Sequence, residues 1–491
     1  MARLFISAAH KSSGKTTVTL GLCAALAARG LAVQPFKKGP DYIDPMWHGL
    51  AAGRICRNLD FYTQGAEGIP GFYHRHAAGA DVALIEGNKG LYDGVDPEGR
   101  DSGAALAKLL QAPVVLVIDA GGITRGVAPL LVGYAAFDPA VSIAGVILNK
   151  VAGSRHESKL REAVERYTDL PVLGAVHRSA DLAITERHLG LVPANEEAEA
   201  QAVVARIRDA VAAQVDLDRV LEVARRGAAG SGPLPTLPPA DGGGRAGGGA
   251  GAPSFRTRPS AGRIAYARDA AFGFYYPEDL ETLAAEGFEM VPFDALRDAA
   301  LPPALDGLFI GGGFPEMHME ALEANASMRA SVRAAVEGGL PTYAECGGLM
   351  YLSRSIARDG RRHAMVGVLP LDTVMHKRPQ GRGYVRLRET ACFPWPAAGG
   401  DGTLVGHEFH HAGVANLAPG CRFAYAVERG YGIDGERDGI VVHNALAAFS
   451  HLRGVGANAW PRRFAAFIRS RGARAPAIRT PDARTPDARA A

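Results

Sequence analysis

The sequence predicts an α/β protein built as two consecutive domains. Three observations point to this: apolar β-rich runs alternate with longer helical stretches in both halves, a Gly/Pro-rich bridge separates the halves, and each half carries its own glycine-containing turn with a reactive side chain. At 491 residues, 47% of them hydrophobic, the chain can bury more than one core.

In order along the chain, residues 4–6, 82–85, 114–118 and 146–148 are short apolar runs of the kind buried in a parallel sheet, and the stretches between them are helix-like. They place a first domain over residues 1–225. Residues 226–262, with Gly242-Gly243-Gly244 and Gly247-Gly248-Gly249, have a composition that cannot hold a packed core and are expected to form a flexible linker. Strand-like runs resume at 264–266, 308–310 and 341–344, mostly leading into glycine-rich turns, and define a second α/β domain over 263–470. The remaining residues, 471–491, repeat Arg-Thr-Pro-Asp-Ala from Arg479 and Arg484, and this short Pro/Ala/Arg tract is expected to be a disordered tail.

A formal net charge of +3 with no long polybasic stretch argues against a nucleic-acid partner. Five cysteines without a CxxC pair argue against a disulfide framework or a cysteine zinc site. No run of about 18 apolar residues appears, and the N-terminus is too short an apolar stretch for a signal peptide, so a soluble protein of the reducing cytoplasm is expected.

Ser12-Ser13-Gly14-Lys15-Thr16 lies between the strand-like residues 4–6 and the helix-like run from Thr16 and Thr17 to Ala28. Strand, loop and helix come in the order of a phosphate-binding loop, although Ala9 stands where GxxxxGK[ST] has its first glycine. Backbone N–H groups of Ser13, Gly14 and Thr17 and the helix N-terminus would hold ATP phosphates, with Lys15 on the outer phosphates and Thr16 on Mg²⁺. The plainer alternative is a Ser/Gly turn before an ordinary helix. Asp41 and Asp44, in the Pro-bounded loop 39–45, and Glu86, at the end of an apolar strand, are the candidate carboxylates for the metal, either aspartate serving as well at this stage.

Ala344-Glu345-Cys346-Gly347-Gly348 ends another apolar strand. Its two glycines permit a sharp strand-to-helix turn, which would expose Cys346 as a nucleophile and lower its thiol pKa. His451, after the apolar stretch 445–449, is the candidate base, with His407, His410 and His411 competing as substrate-facing or structural groups. Gly311-Gly312-Gly313 could present oxyanion donors, or could be a tight turn. A phosphoryl-transfer loop and a thiol nucleophile in one chain point to a glutamine-dependent amide-forming synthetase.

These motifs, together with Lys38-Gly39-Pro40-Asp41-Tyr42-Ile43-Asp44-Pro45, Arg187-His188-Leu189-Gly190-Leu191, Gly311-Gly312-Gly313-Phe314-Pro315-Glu316 and Gly406-His407-Glu408-Phe409-His410, make nearly the whole chain resemble the cobyrinate a,c-diamide synthase family. The resemblance implies a P-loop NTPase-like, dethiobiotin-synthetase-like ATP domain fused to a class I glutamine amidotransferase domain. It implies that Cys346 and His451 hydrolyse glutamine and that ammonia reaches the first domain. There ATP with Mg²⁺ would phosphorylate the a and c acetate carboxylates of a tetrapyrrole, cobyrinate, on the route to cobalamin.

Two departures bear on this. Arg453 stands two residues after His451, where many class I amidotransferases have glutamate, so a Cys-His dyad is expected. The family's usual Glu-Gly-Val-Met-Gly is here Glu86-Gly87-Asn88-Lys89-Gly90, which keeps sirohaem or another carboxylated tetrapyrrole as an alternative substrate. A partitioning-ATPase-like regulator with a binding module is disfavoured by the Cys346 turn and by the lack of a basic face.

Overall fold

A computed structural model of the chain describes residues 1–184, 186–187, 190–196, 199–229, 261–396 and 401–472. The expected linker and tail therefore fall almost wholly outside the described residues, as do His188 and Leu189 of the Arg187–Leu191 motif.

The first domain is a seven-stranded, all-parallel sheet. Its strands are β1 (Ala2–Ala8), β2 (Val33–Lys38), β3 (Arg57–Leu59), β4 (Val82–Glu86), β5 (Val114–Asp119), β6 (Ile143–Val151) and β7 (Val172–His177). They lie in the order β3-β2-β4-β1-β5-β6-β7. Strand alternation sends successive side chains to opposite faces, and both faces are covered. Leu4 and Ile6 of β1 and Val82 and Leu84 of β4 pack under helices α1 (Lys15–Ala28), α2 (Ile43–Ala52), α7 (Ala200–Gln214) and α8 (Leu217–Ala229). Phe5, Ala83 and Ile85 face α3 (Phe61–Ala77), α4 (Gly103–Leu109), α5 (Val127–Phe137) and α6 (Ser154–Tyr167). This explains why the strands are continuous apolar runs. Helix α8 continues through Ala229, four residues into the segment expected to be linker.

The second domain is a ten-stranded mixed sheet. Its strands are β8 (Gly262–Ala267), β9 (Phe288–Phe293), β10 (Gly307–Ile310), β11 (Thr342–Glu345), β12 (Gly381–Glu389), β13 (Thr403–His410), β14 (Arg422–Arg429), β15 (Arg437–Val442), β16 (Ala445–Ala448) and β17 (His451–Leu452). Their order is β9-β8-β10-β11-β16-β15-β14-β12-β13-β17. The first five are mutually parallel and the rest antiparallel. Ala265 and Ala267 of β8 face a core closed by α10 (Met319–Ala324), α11 (Ala326–Glu337) and α12 (Gly347–Leu352). Ile264 and Tyr266 face one closed by α9 (Pro277–Ala285) and α13 (Trp460–Gly472).

Aromatic and ionic contacts join the domains. Tyr42 packs with Phe274, Tyr276 and Phe314, and Tyr384 donates to Asp60 Oδ1 at 2.6 Å. Arg57 makes a two-pronged pair with Glu281 at 2.9 and 2.5 Å. Arg453, only 1% exposed, donates to Glu278 Oε1 at 2.6 Å and to the Asn58 carbonyl at 2.7 Å. No described helix is long and apolar enough to cross a membrane.

Candidate active sites

The loop from β1 to α1 has the expected strand–turn–helix form. Its left-handed residues are Ser12 (φ 63°) and Gly14 (φ 85°), whereas Ala9 has no positive φ, so the missing first glycine imposes no backbone strain. A side chain at Gly14 would also collide with Asn149 Nδ2, 2.1 Å from where its Cβ would lie. Asn149 Nδ2 donates to the Ser13 carbonyl at 2.9 Å, and Lys150 Nζ to the Ser12 carbonyl at 2.8 Å. Ser13 Oγ donates to the His10 carbonyl at 2.9 Å, which Lys15 Nζ meets at 3.4 Å. Thr17 is half-buried in the first turn of α1. Burial pulls the Lys15 ammonium below its ordinary value, and the nearby Glu86 carboxylate opposes this.

The carboxylates divide by position. Thr16 Oγ1 donates to Glu86 Oε1 at 2.9 Å and to Asp44 Oδ2 at 3.3 Å. Lys37 Nζ lies between the same two acids, 2.8 Å from Glu86 Oε1 and in contact with Asp44 Oδ2, while His48 Nε2 meets Glu86 Oε2. Although burial acts against it, the charges of Lys37 and His48 hold Glu86 well below the usual carboxylate range. Asp44 is not in a loop, as the flanking prolines suggested. It sits in the first turn of α2, where Pro45 is tolerated because first-turn N–H groups have no intrahelical partner. Asp41 instead caps that helix, its Oδ1 accepting from the N–H groups of Ile43 and Asp44 at 3.0 and 3.1 Å. Burial, reinforced by Asp44, pushes the Asp41 carboxyl up to about 6.

Hard oxygen donors thus converge from Thr16, Asp44 and Glu86, the set that suits Mg²⁺ shared with phosphate oxygens. Among the described residues no three His, Cys, Asp or Glu side chains form a metal cluster of their own.

The second site follows from strand register. Strands β10, β11 and β16 are parallel neighbours, with Ile310 opposite Ala344 and Glu345 opposite Ala448. Their C-terminal ends therefore deliver Gly311–Gly313, Cys346 and the His451 segment to one edge. Cys346 N–H donates to the Ala448 carbonyl at 2.7 Å. Its backbone is left-handed (φ 50°, ψ −101°), a strained turn that Gly348 permits, since a Cβ there would lie 2.2 Å from the Ile310 carbonyl oxygen. Gly312 passes so close to the imidazole that a Cβ would come within 2.5 Å of His451 Cε1.

Cys346, His451, His407, His410 and His411 line one cavity of about 180 Å³, together with Glu316 and Phe409. The rings of His407 and His451 stack at 4.9 Å. Burial, with the His451 and Arg453 charges added, drives the His407 imidazole well below its usual range and keeps it neutral. His410 is tied to the Ala412 carbonyl at 2.8 Å, and its ring stacks on Phe449 at 4.0 Å.

One expectation is corrected. The turn does not lower the Cys346 thiol pKa. Burial and then the Glu316 charge push it up, against a single opposing hydrogen bond from Gly347 N–H, and six-residue α12 has little dipole to offer. An acid does lie near the expected Cys-His pair, although His451 Nδ1 has no hydrogen-bond partner among the described residues. Glu345 Oε2 lies 3.4 Å from His451 Nδ1. Its Oε1 is fixed by Tyr343 OH at 2.6 Å and Leu452 N–H at 2.9 Å. Arg453, at the position usual for that acid, turns away to Glu278.

Glu345, Lys37, His48 and Asn149 were not singled out from sequence. The signals available were an acid inside the apolar strand before Cys346, adjacent lysines ending β2, and His48 four residues after Asp44 on one helix face.

Residues 5–192 match the CobQ/CobB/MinD/ParA nucleotide binding domain, and residues 263–458 the CobB/CobQ-like glutamine amidotransferase domain. A nucleotide-binding parallel sheet fused to an amidotransferase domain defines an ATP-dependent ligase that draws its amide nitrogen from glutamine. The chain is 50% identical over 470 residues to a cobyrinate a,c-diamide synthase of Magnetococcus marinus, covering 96% of this chain and 98% of that protein. It is 43% identical over 479 residues to the enzyme of the same name from Methanosarcina acetivorans, covering 92% of each. The chain belongs to the cobyrinate a,c-diamide synthase family.

Proposed function

We propose that this chain amidates the a and c acetate carboxylates of cobyrinate, in the cytoplasm, through acyl phosphates made with ATP. The observation that carries this is the continuity of residues 40–44: Asp44 meets Thr16 in the nucleotide site, while Pro40–Ile43 form part of the cavity wall around Cys346. The names of the full-length relatives support the substrate.

In the second domain, His451 takes the Cys346 proton as Sγ attacks the side-chain amide carbon of glutamine. Backbone N–H groups of Gly312, Gly313 and Gly347 receive the oxyanion, the Gly311 N–H being taken by Tyr275 OH at 3.0 Å. His451 then protonates the leaving nitrogen, ammonia departs, and water activated by the same imidazole hydrolyses the thioester to glutamate. Burial pushes the Cys346 thiol pKa up, so the attack relies on His451 to accept the proton.

In the first domain a substrate carboxylate oxygen attacks the γ-phosphorus of ATP and ADP leaves. This converts a poor oxyanion leaving group into phosphate, and ammonia then displaces phosphate from the acyl carbon to leave an amide. Lys15 and the loop N–H groups bind the phosphates. Thr16, Asp44 and Glu86 would hold Mg²⁺, which neutralises phosphate charge when bound.

The test is ATP- and glutamine-dependent amidation of cobyrinate, hydrogenobyrinate and sirohaem, read by mass change per carboxylate. Two amidations of cobyrinate are expected. Activity on sirohaem alone would keep the chemistry and overturn the substrate.

Glu345→Gln is expected to lower glutamine-driven kcat roughly 10²-fold by removing the charge that orients and stabilises the His451 imidazolium, while sparing ammonia-driven synthesis. Steady-state rates with each nitrogen donor check this. An unchanged glutaminase kcat would remove Glu345 from the site.

A further inference from the structure

The cavity around Cys346 is not the only one between the domains. A second, of about 1180 Å³, lies against the other side of the start of α2, and only Asp41 and Tyr42 line both. Tyr42 is buried, and its ring touches both halves of the molecule. It stacks face to face on Phe274 at 5.3 Å with an interplanar angle of 2°, and lies 4.7 Å from the Tyr276 ring. It also lies 5.3 Å from the His451 ring and 5.5 Å from the His407 ring. The backbone of Tyr42 is the N-cap of α2, one residue after the capping Asp41 and two before Asp44, whose carboxylate meets Thr16 and Lys37.

From this placement we infer that Tyr42 is the partition that retains ammonia between the two sites and the brace through which the nucleotide site acts on His451. The inference rests on the proposed glutaminase role of Cys346 and His451. Ammonia that escapes to bulk water at neutral pH is protonated and loses its nucleophilic lone pair. A wall of Tyr42, Phe274 and Tyr276 offers a mainly aromatic boundary that separates the Cys346 cavity from its neighbour. The wall is supplied by the segment that carries Asp44, so any movement of Asp44 on filling the nucleotide site is transmitted over two residues to the ring against His451. Tyr42 acts through position and touches no reacting bond.

The experiment compares wild type with Tyr42→Ala, Tyr42→Leu and Tyr42→Phe, measuring glutamate formed per amide formed, and amidation driven by ammonium chloride. The wild-type ratio should be close to one. The Ala and Leu variants should raise it roughly threefold or more by losing confinement, while keeping more than about a third of the ammonia-driven rate. The Phe variant, which keeps the ring, should restore the wild-type ratio. An unchanged ratio in both Ala and Leu variants would overturn the inference. So would loss of ammonia-driven synthesis in both, which would make Tyr42 part of the nucleotide site itself. A wild-type chain that releases no glutamate would instead overturn the underlying assignment of Cys346 and His451.

Discussion

Replacing Cys346 with alanine is expected to reduce glutamine-driven amidation by a factor on the order of 10⁴ or more, while ammonium chloride still supports synthesis. The magnitude follows from removal of the only atom that can form the thioester, which no other group in the cavity replaces. Rescue follows from the distance between functions: Lys15, Thr16, Asp44 and Glu86 belong to the other domain and are held by their own contacts. The substitution should also fold, because alanine fits the space Cys346 occupies, although the left-handed backbone at that position (φ 50°) costs alanine about as much as cysteine. Parallel assays with the two nitrogen donors decide the matter. Failure of ammonia rescue in a folded variant would mean that the two chemistries are not housed separately.

Replacing Lys15 with alanine should do the opposite, lowering synthesis from either nitrogen source on the order of 10³-fold. The ammonium is buried at the head of α1, and its one hydrogen bond among the described residues, to the His10 carbonyl, is long at 3.4 Å. It is therefore available for phosphate. Burial lowers its pKa and the Glu86 carboxylate opposes this, so on the proposed reading its loss removes a group that would neutralise phosphate charge. Glutamine hydrolysis measured alone, without ATP, should survive. Full synthesis in Lys15→Ala would take that residue out of the phosphate site.

Much of the architecture was legible because its signals are local. Short, β-branched apolar runs such as 82–85 and 114–118 suit strands covered on both faces, and these are β4 and β5. The nucleotide loop was legible despite Ala9 because the left-handed positions, Ser12 and Gly14, fall elsewhere. What escaped depends on which strands become neighbours. Glu345 reaches His451 only because β11 lies beside β16, a pairing of residues about a hundred positions apart that periodicity does not report. Reading Arg453 in sequence removed the expected acid, but could not reveal that this arginine binds across the domain boundary to Glu278 and Asn58. The Cys346 pKa was misjudged for a similar reason. The turn is local, but the burial and the Glu316 charge come from tertiary packing.

The depth of Cys346 has a bearing on how this enzyme withstands oxygen and electrophiles. Peroxides and alkylating agents react with thiolates that they can reach, and Cys346 is 6% exposed with its thiol pKa pushed up by burial. Between turnovers the sulfur is thus kept from the sulfenic acid and from adventitious adducts. On the proposed mechanism it becomes vulnerable when glutamine, or a mimic small enough to enter the same chamber, draws the proton onto His451. Reactive glutamine analogues should therefore label this sulfur far more selectively than general thiol reagents.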